Sequence, residues 1–399
     1  MVKAVQHELQ LARRMSRLGT ETAFEVLNKA RALERQGKNI IHLEIGEPDF
    51  DTPRNVVEAG VDALRQGWTH YGPSAGLPEL RQAIAEYVSQ TRGVMVTSEE
   101  VVIVPGGKPI IFFAVLALVD EGDEVIYPNP GFPIYESMVN YVGGRAVPIR
   151  LREERDFSLD IDELAALIND RTRLIILNSP QNPTGGVLDR REIEQIARAI
   201  GDRNILVLSD EIYSRLVFDG GEHFSIMSVP GMQERTILLD GFSKTYAMTG
   251  WRLGYALGPA AVIAAMQKLQ SQSTSNPTSI VQKAAVAALN GPQQCVEDMR
   301  LEYIKLRDHV VKGLRSIPGV QCTLPEGAFY AYPNISSFIG RGGIKSASDV
   351  AGRLLREAHV ATVPGEGFGT REHIRVSYAT TVTALDRGLE RMRTFLAAL

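Results

Sequence analysis

The chain has 399 residues, with 43 basic and 47 acidic side chains, a formal net charge of -4 and 44% hydrophobic residues. That length argues two domains rather than one small core, and the near-balanced charge leaves no basic footprint for nucleic acid or an anionic membrane. No apolar run approaches the roughly 18 residues of a membrane span, the opening is too charged for a secretory signal, and two cysteines suit a reducing compartment, so a cytoplasmic protein is expected. The seven histidines are scattered without ligand spacing, so no metal is expected.

Residues 1–44 read as mostly helical, with Ala23, Leu27, Ala30 and Leu33 at helical spacing, Gly37 as a stop and a short apolar run at 40–43. Two breaker-rich loops follow: Gly46-Glu-Pro-Asp-Phe-Asp-Thr-Pro53, leading into a helix, and Trp68-Thr-His-Tyr-Gly-Pro-Ser-Ala-Gly76, with two aromatic residues among glycines. From about 100 to 258, apolar strand-like runs at 101–104, 124–127, 174–178, 205–209 and 236–240 alternate with helix candidates such as 192–200. Such alternation argues a largely parallel sheet covered on both faces. Ligands in these sheets bind beyond the carboxyl ends of the strands, so the residues just after each run are the ones to inspect.

After Val104 come Pro105-Gly-Gly-Lys108, opening an apolar helix: either a cradle of backbone N–H groups for a phosphate or a plain tight turn. After Tyr127, the segment Pro128-Asn-Pro-Gly-Phe-Pro133 puts Phe132 at the same rim, to stack on a flat ring or to join the core. Asn178 is followed by Ser179-Pro-Gln-Asn-Pro-Thr-Gly-Gly186, in which Asn182 offers an amide. Asp210-Glu-Ile-Tyr213 ends the next run. A buried aspartate there needs a positive partner, such as a protonated pyridine nitrogen, unless it merely caps a helix.

The run at 236–239 delivers the chain to Ser243-Lys244, and eight residues on stands Arg252 in a Gly250-Trp-Arg-Leu-Gly254 frame. A lysine at a strand end can attack a carbonyl to form a Schiff base, and an arginine fork suits a phosphate dianion. Together they describe a site for an aldehyde that carries a phosphate, which is what pyridoxal phosphate is. Helix candidates then follow at 260–272, 278–289 and about 297–314, around the polar loop Ser271-Gln-Ser-Thr-Ser-Asn-Pro277. Beyond them, short strands at 320–323, 329–332, 360–363 and 373–378 alternate with helices, the texture of a smaller α+β domain. Arg375 lies on the last of these, and a carboxylate ligand is one candidate partner for it.

These residues resemble the class I aminotransferases of the fold-type I pyridoxal-phosphate enzymes over essentially the whole chain. The ordered set Asn182-Pro-Thr-Gly185, Asp210-Glu-Ile-Tyr213 and Ser243-Lys244 with Gly250-Trp-Arg-Leu-Gly254 carries the resemblance. The subgroup it is most similar to is the bacterial aspartate aminotransferases with Gly-Gly-Lys at the phosphate helix. The resemblance implies an α/β fold: a large cofactor domain at 46–285 with a mixed, mostly parallel sheet between helices, and a small domain built from 1–45 and 286–399. It implies a homodimer with sites at the subunit interface. It further implies that Lys244 holds the cofactor and moves the proton, Asp210 pairs with the pyridinium nitrogen, and Tyr213 and Asn182 bond the ring's phenolate oxygen. Phe132 would stack on the ring. Gly106, Gly107, Ser243 and Arg252 would hold the phosphate, with Tyr71 reaching in from the neighbouring subunit. Arg375 would clamp the substrate α-carboxylate beside Gly46, and Lys108 would receive the side-chain carboxylate of aspartate or glutamate, unless it serves only the phosphate.

Two positions depart from the family's pattern. Gly241 stands where serine or alanine is common, so one hydroxyl donor is missing, and Pro109 removes one N–H from the first turn of the phosphate helix. Rival readings are a β-lyase or an aminotransferase of broad or aromatic specificity on the same fold, a transcriptional sensor and a nicotinamide dehydrogenase. Only about 45 residues precede Gly46, with no basic recognition helix, and no Gly-x-Gly-x-x-Gly follows a strand, which disfavours the last two.

Overall fold

The computed structural model describes residues 10–399; the expectation of helix over 1–9 lies outside the described residues. Helix α1 (Thr22–Glu34) buries Ala23, Val26 and Ala30, a slightly rotated version of the expected stripe, and the chain turns away at Gly37, whose φ is +82°. The run at 40–43 supplies strand β1 (Ile41–His42). Helices α2 (Arg54–Arg65) and α3 (Pro78–Arg92) follow. Helix α3 starts with proline in its first turn and ends on Gly93 in the left-handed region, φ +65°, the usual start and stop chemistry.

The central sheet is built from β2 (Val101–Val104), β3 (Glu124–Asn129), β4 (Arg145–Arg150), β5 (Thr172–Asn178), β6 (Leu206–Asp210), β7 (Thr236–Gly241) and β8 (Gly254–Leu257). Its order is β2-β8-β7-β6-β5-β3-β4. Strand β8 runs antiparallel to both its neighbours, and the remaining pairs are parallel. This is the mixed, mostly parallel sheet expected, and the reason is visible in the side chains: every residue of β2, β7 and β8 is buried, as a sheet covered on both faces requires. Strand β4 escaped the sequence reading because it is an edge strand with mostly exposed or half-buried residues, so it carries no apolar run. Helix α4 (Lys108–Leu118) opens at Gly107 and packs as a nearly all-apolar helix under the sheet; α5 (Ile134–Val142) follows Pro133.

The last part of the chain carries β9 (Tyr330–Ala331), β10 (Val360–Ala361), β11 (Val363–Pro364) and β12 (Ile374–Ser377). Here the expected strands shrink. Residues 320–323 form no strand, only an isolated pairing of Gln321 with Asn334. The run at 360–363 splits, β10 pairing with β1 and β11 with β12, because Thr362 lies between two different sheets. A core distinct from that of the large sheet unites Ile41 and Leu43 with the helix Gln294–Arg315, Phe329, Tyr330 and the C-terminal helix Val382–Ala397. Among the described residues no helix is long and apolar enough to cross a membrane.

Candidate active site

Sheet register creates the site. Asn178 on β5 is level with Asp210 on β6, Asp210 with Leu239 on β7, and Gly241 with Gly254 on β8. The carboxyl ends of three parallel strands therefore stop at one rim, as the topology rule demands. A pocket of about 420 Å³ opens there. Gly46, Gly107, Lys108, Phe132, Asn182, Asp210, Tyr213, Ser243, Lys244, Arg252 and Arg375 all line it, whereas Gly106 and Tyr71 do not.

Lys244 leaves a four-residue helical turn at the end of β7, and its ammonium donates to the carbonyl of Gly46. Burial lowers its pKa from the ordinary 10.5 to about 7, with Arg375, Arg252 and Lys108 adding to the fall and Glu47 opposing it. A lysine so placed is a competent nucleophile and proton carrier near neutral pH. Asp210 is 4% exposed and pairs with no cation among the described residues. It accepts from the hydroxyl of Tyr135, at 2.6 Å, and from the backbone N–H of Ile212. Burial raises its pKa to about 6 against those hydrogen bonds. The cap-like bond to Ile212 does exist, but the segment 212–215 is a chain of turns rather than a helix, and the carboxylate faces the pocket.

Arg375 projects from β12, 3% exposed. It donates to Asn182 Oδ1 at 2.9 Å and to the carbonyl of Glu44 at 2.6 Å, and its Nε has no partner. A buried guanidinium bonded only to neutral oxygens lacks the anion that would offset its desolvation, so it is poised for a carboxylate. Gly46 has a steric reason: a Cβ there would overlap the hydroxyl of Tyr330, which shares a 2.7 Å hydrogen bond with Tyr213.

The corner where Gly106 meets Arg252 is tightly built. Gly106 has φ +89°, and a Cβ there would run into the Arg252 guanidinium. Arg252, itself at φ +55°, donates to the carbonyl of Thr249 at 2.8 Å and pairs with no carboxylate among the described residues. Gly241 also acquires a reason: its Cβ would come within 3.0 Å of Gly254 Cα and 3.1 Å of the Leu253 carbonyl. A serine here would crowd the β7–β8 pair. Pro109 sits in the first turn of α4, where its missing N–H breaks no intrahelical bond.

Other contacts could not have been read from the sequence. Tyr135 and Tyr330, which hold Asp210 and Tyr213, carry no local signal. Phe112 and Phe113, natural candidates for a pocket wall, turn elsewhere: Phe113 is buried beneath the sheet and Phe112 packs on Tyr141. Tyr71 is 91% exposed. Lys108 forms an ion pair with Glu21, the residue preceding α1, and its ammonium stands 5.4 Å from the Phe24 ring and 5.6 Å from that of Phe132. Behind the site, Glu211 turns away from the pocket into a buried cluster. It accepts from Arg92 at 2.9 Å, His223 at 2.7 Å, and both Ser209 and Ser225. Arg92 also reaches Asp240 at 3.4 Å, which ties the end of β6 to that of β7. These ties hold in register the strands that carry Asp210 and Lys244.

The donor set is the complement of a phosphorylated pyridine aldehyde: a buried acid without a cation, an amine of depressed pKa, and an arginine fork beside a helix N-terminus. Pyridoxal phosphate therefore fits these residues. The family described as aminotransferase class I and II matches residues 38–392. The aspartate aminotransferase of a Bacillus species (strain YM-2) is 41% identical over 97% of this chain and 99% of its own. The crystal structure of the Rhizobium meliloti aspartate aminotransferase superposes with a TM-score of 0.93 at 39% identity, covering 98% of this chain and 99% of that one. That of Thermus thermophilus aspartate aminotransferase with maleate gives 0.92 at 40% identity, covering 98% and 100%. The chain thus belongs to the class I and II aminotransferases, as a transaminase that uses pyridoxal phosphate to move an amino group from an amino acid to a 2-oxo acid.

Proposed function

We propose that the enzyme favours aspartate and glutamate as amino donors, in a site whose residues act as follows. When bound, pyridoxal phosphate supplies the reactive aldehyde carbon and a ring that absorbs the electrons freed at the substrate α-carbon. Lys244 holds it covalently and, once released, carries the proton to and from the α-carbon; its depressed pKa supports that role. Asp210 would pair with the ring nitrogen and keep it protonated, a role that its burial without a cation supports. Asn182 has its carbonyl engaged by Arg375, which leaves its NH2 group for the ring oxygen beside Tyr213. Phe132 would stack on the ring, Arg252, Ser243, Gly106 and Gly107 would hold the phosphate, and Arg375 would orient the α-carboxylate beside Gly46.

The observation that carries the acidic preference is Lys108 at the pocket wall, a second cation besides Arg375. Burial and the neighbouring Arg252 lower its pKa, so the ammonium needs a carboxylate beside it, a place that Glu21 holds in this structure. The relatives named aspartate aminotransferase agree with this choice. A charge-assisted contact contributes about 1.5–3 kcal/mol, or about one to two decades in kcat/KM. Lys108→Ala is therefore expected to lose that much with aspartate or glutamate and far less with phenylalanine or alanine. Equal losses with all four donors would leave Lys108 a phosphate residue and end the acidic assignment.

We further propose a cytoplasmic homodimer, each chain divided into a large domain at 46–285 and a small one from 1–45 and 286–399. The unpaired Cys295 and Cys322 support the compartment. The cluster that joins Ile41 and Leu43 to the helix Gln294–Arg315 and the C-terminal helix supports the grouping of both ends of the chain in one domain. The nearly bare Tyr71 supports a composite site, because a phenol that exposed in a single chain has a use once a second chain covers it. Mixing severely impaired Lys244→Ala with weakened Tyr71→Ala protein is expected to restore part of the activity through heterodimers. A fully active monomer in sedimentation would exclude the shared site.

A further inference from the structure

The ion pair between Glu21 and Lys108 lies at the wall where the substrate's side chain has to go. Glu21, Phe24, Lys108 and Phe132 line the same pocket as Lys244 and Arg375. The pair is only partly shielded, with side chains 26% and 41% exposed. Glu21 occupies the N-cap position of α1, yet its carboxylate caps no N–H of that helix. The carboxylate therefore has a second favourable place when it leaves Lys108, at the positive end of its own helix. Rings on either side of the ammonium make an apolar surround, so uncharged side chains can pack there as long as the lysine stays paired.

We infer that Glu21 is a built-in stand-in for the distal carboxylate of the substrate. It occupies Lys108 while no acidic side chain is present. An incoming dicarboxylate displaces it and takes over the ammonium, leaving one anion on Lys108 before and after. An amino acid with an aliphatic or aromatic side chain leaves the pair intact and meets a neutral, ring-lined wall. One pocket then accepts two substrate classes without burying an unpaired charge with either. This rests on the assignment of Lys108 to the distal carboxylate, and Glu21 sets how strongly acidic donors are preferred.

Calorimetric titration of the holoenzyme with succinate and with hydrocinnamate, a dicarboxylate and a monocarboxylate with an apolar tail, tests this without turnover. Removing the internal competitor in Glu21→Gln and Glu21→Ala is expected to tighten succinate about fivefold to tenfold. Neither variant should strengthen hydrocinnamate, which does not compete for Lys108. Lys108→Ala should weaken succinate and abolish the gain when combined with Glu21→Ala. If Lys108→Ala weakens succinate but neither Glu21 variant tightens it, the competitor role fails while the acidic assignment stands. If Lys108→Ala leaves succinate unchanged, both fall. Glu21 starts a helix at the surface, so its variants are expected to keep the wild-type circular dichroism, which confirms that the comparison concerns binding.

Discussion

Lys244→Ala is expected to give a folded protein that takes up pyridoxal phosphate without linking to it and transaminates slower by about 10²–10⁴, the usual worth of a positioned proton-transfer group. Loss of the covalent hold would deepen the defect, because the cofactor would then be retained by non-covalent contacts alone. Borohydride reduction followed by peptide mass spectrometry checks the assignment: in the wild type the label belongs on Lys244, and a label on another lysine would overturn it. A stability signature accompanies the loss. In the cofactor-free fold the lysine titrates at about 7 instead of 10.5. Below about pH 7 both folded and unfolded chains are protonated there, and the desolvation penalty is fully present. Between those values the unfolded chain binds the extra proton, so this residue makes stability rise with pH. Melting temperatures of the apo protein from pH 7 to 10 should show that rise in the wild type and a flatter profile in Lys244→Ala.

Asp210→Asn is expected to act in opposite directions on the two forms of the protein. With the cofactor, Asp210 would stabilise the ring cation; two unit charges about 4 Å apart at an effective dielectric of about 20 attract by about 4 kcal/mol, so activity is expected to fall by up to about three decades. Cofactor affinity should fall with it, read as the pyridoxal phosphate concentration needed for half-saturation. Without the cofactor, Asp210 is a buried acid with its pKa raised to about 6, which is a cost to folding. The folded chain holds the extra proton between about 3.8 and 6, so this cost grows as pH rises through that window and is complete above it. The asparagine removes the charge and with it that decline, so the apo variant should lose less stability than wild type on going from pH 4 to 7. An apo variant that declines as wild type does would mean that Asp210 already has a cationic partner.

The sequence by itself determined the strands, their helices and the chemistry at their ends. Val101–Val104 and the stretch 237–239 of β7 are continuous apolar runs because both faces of the sheet are covered, and a run of that kind is visible without coordinates. Gly106 follows β2, Asp210 ends β6, Lys244 follows β7 by three residues and Arg252 stands two residues before β8, so local order already placed them at strand ends. Tertiary structure decided what joins residues distant in the chain. Strand β4 is amphipathic at the sheet edge, and the short strands β9 to β12 owe their existence to pairing partners rather than to pattern. Tyr135 reaches Asp210 across 75 positions and Tyr330 reaches Tyr213 across 117, contacts that packing makes and no spacing announces. Gly241, a missing donor when read along the chain, is in space the close approach of two strands. Nothing in the sequence singles out Glu21; only the fold brings the start of α1 to the start of α4 and gives that carboxylate Lys108 to hold.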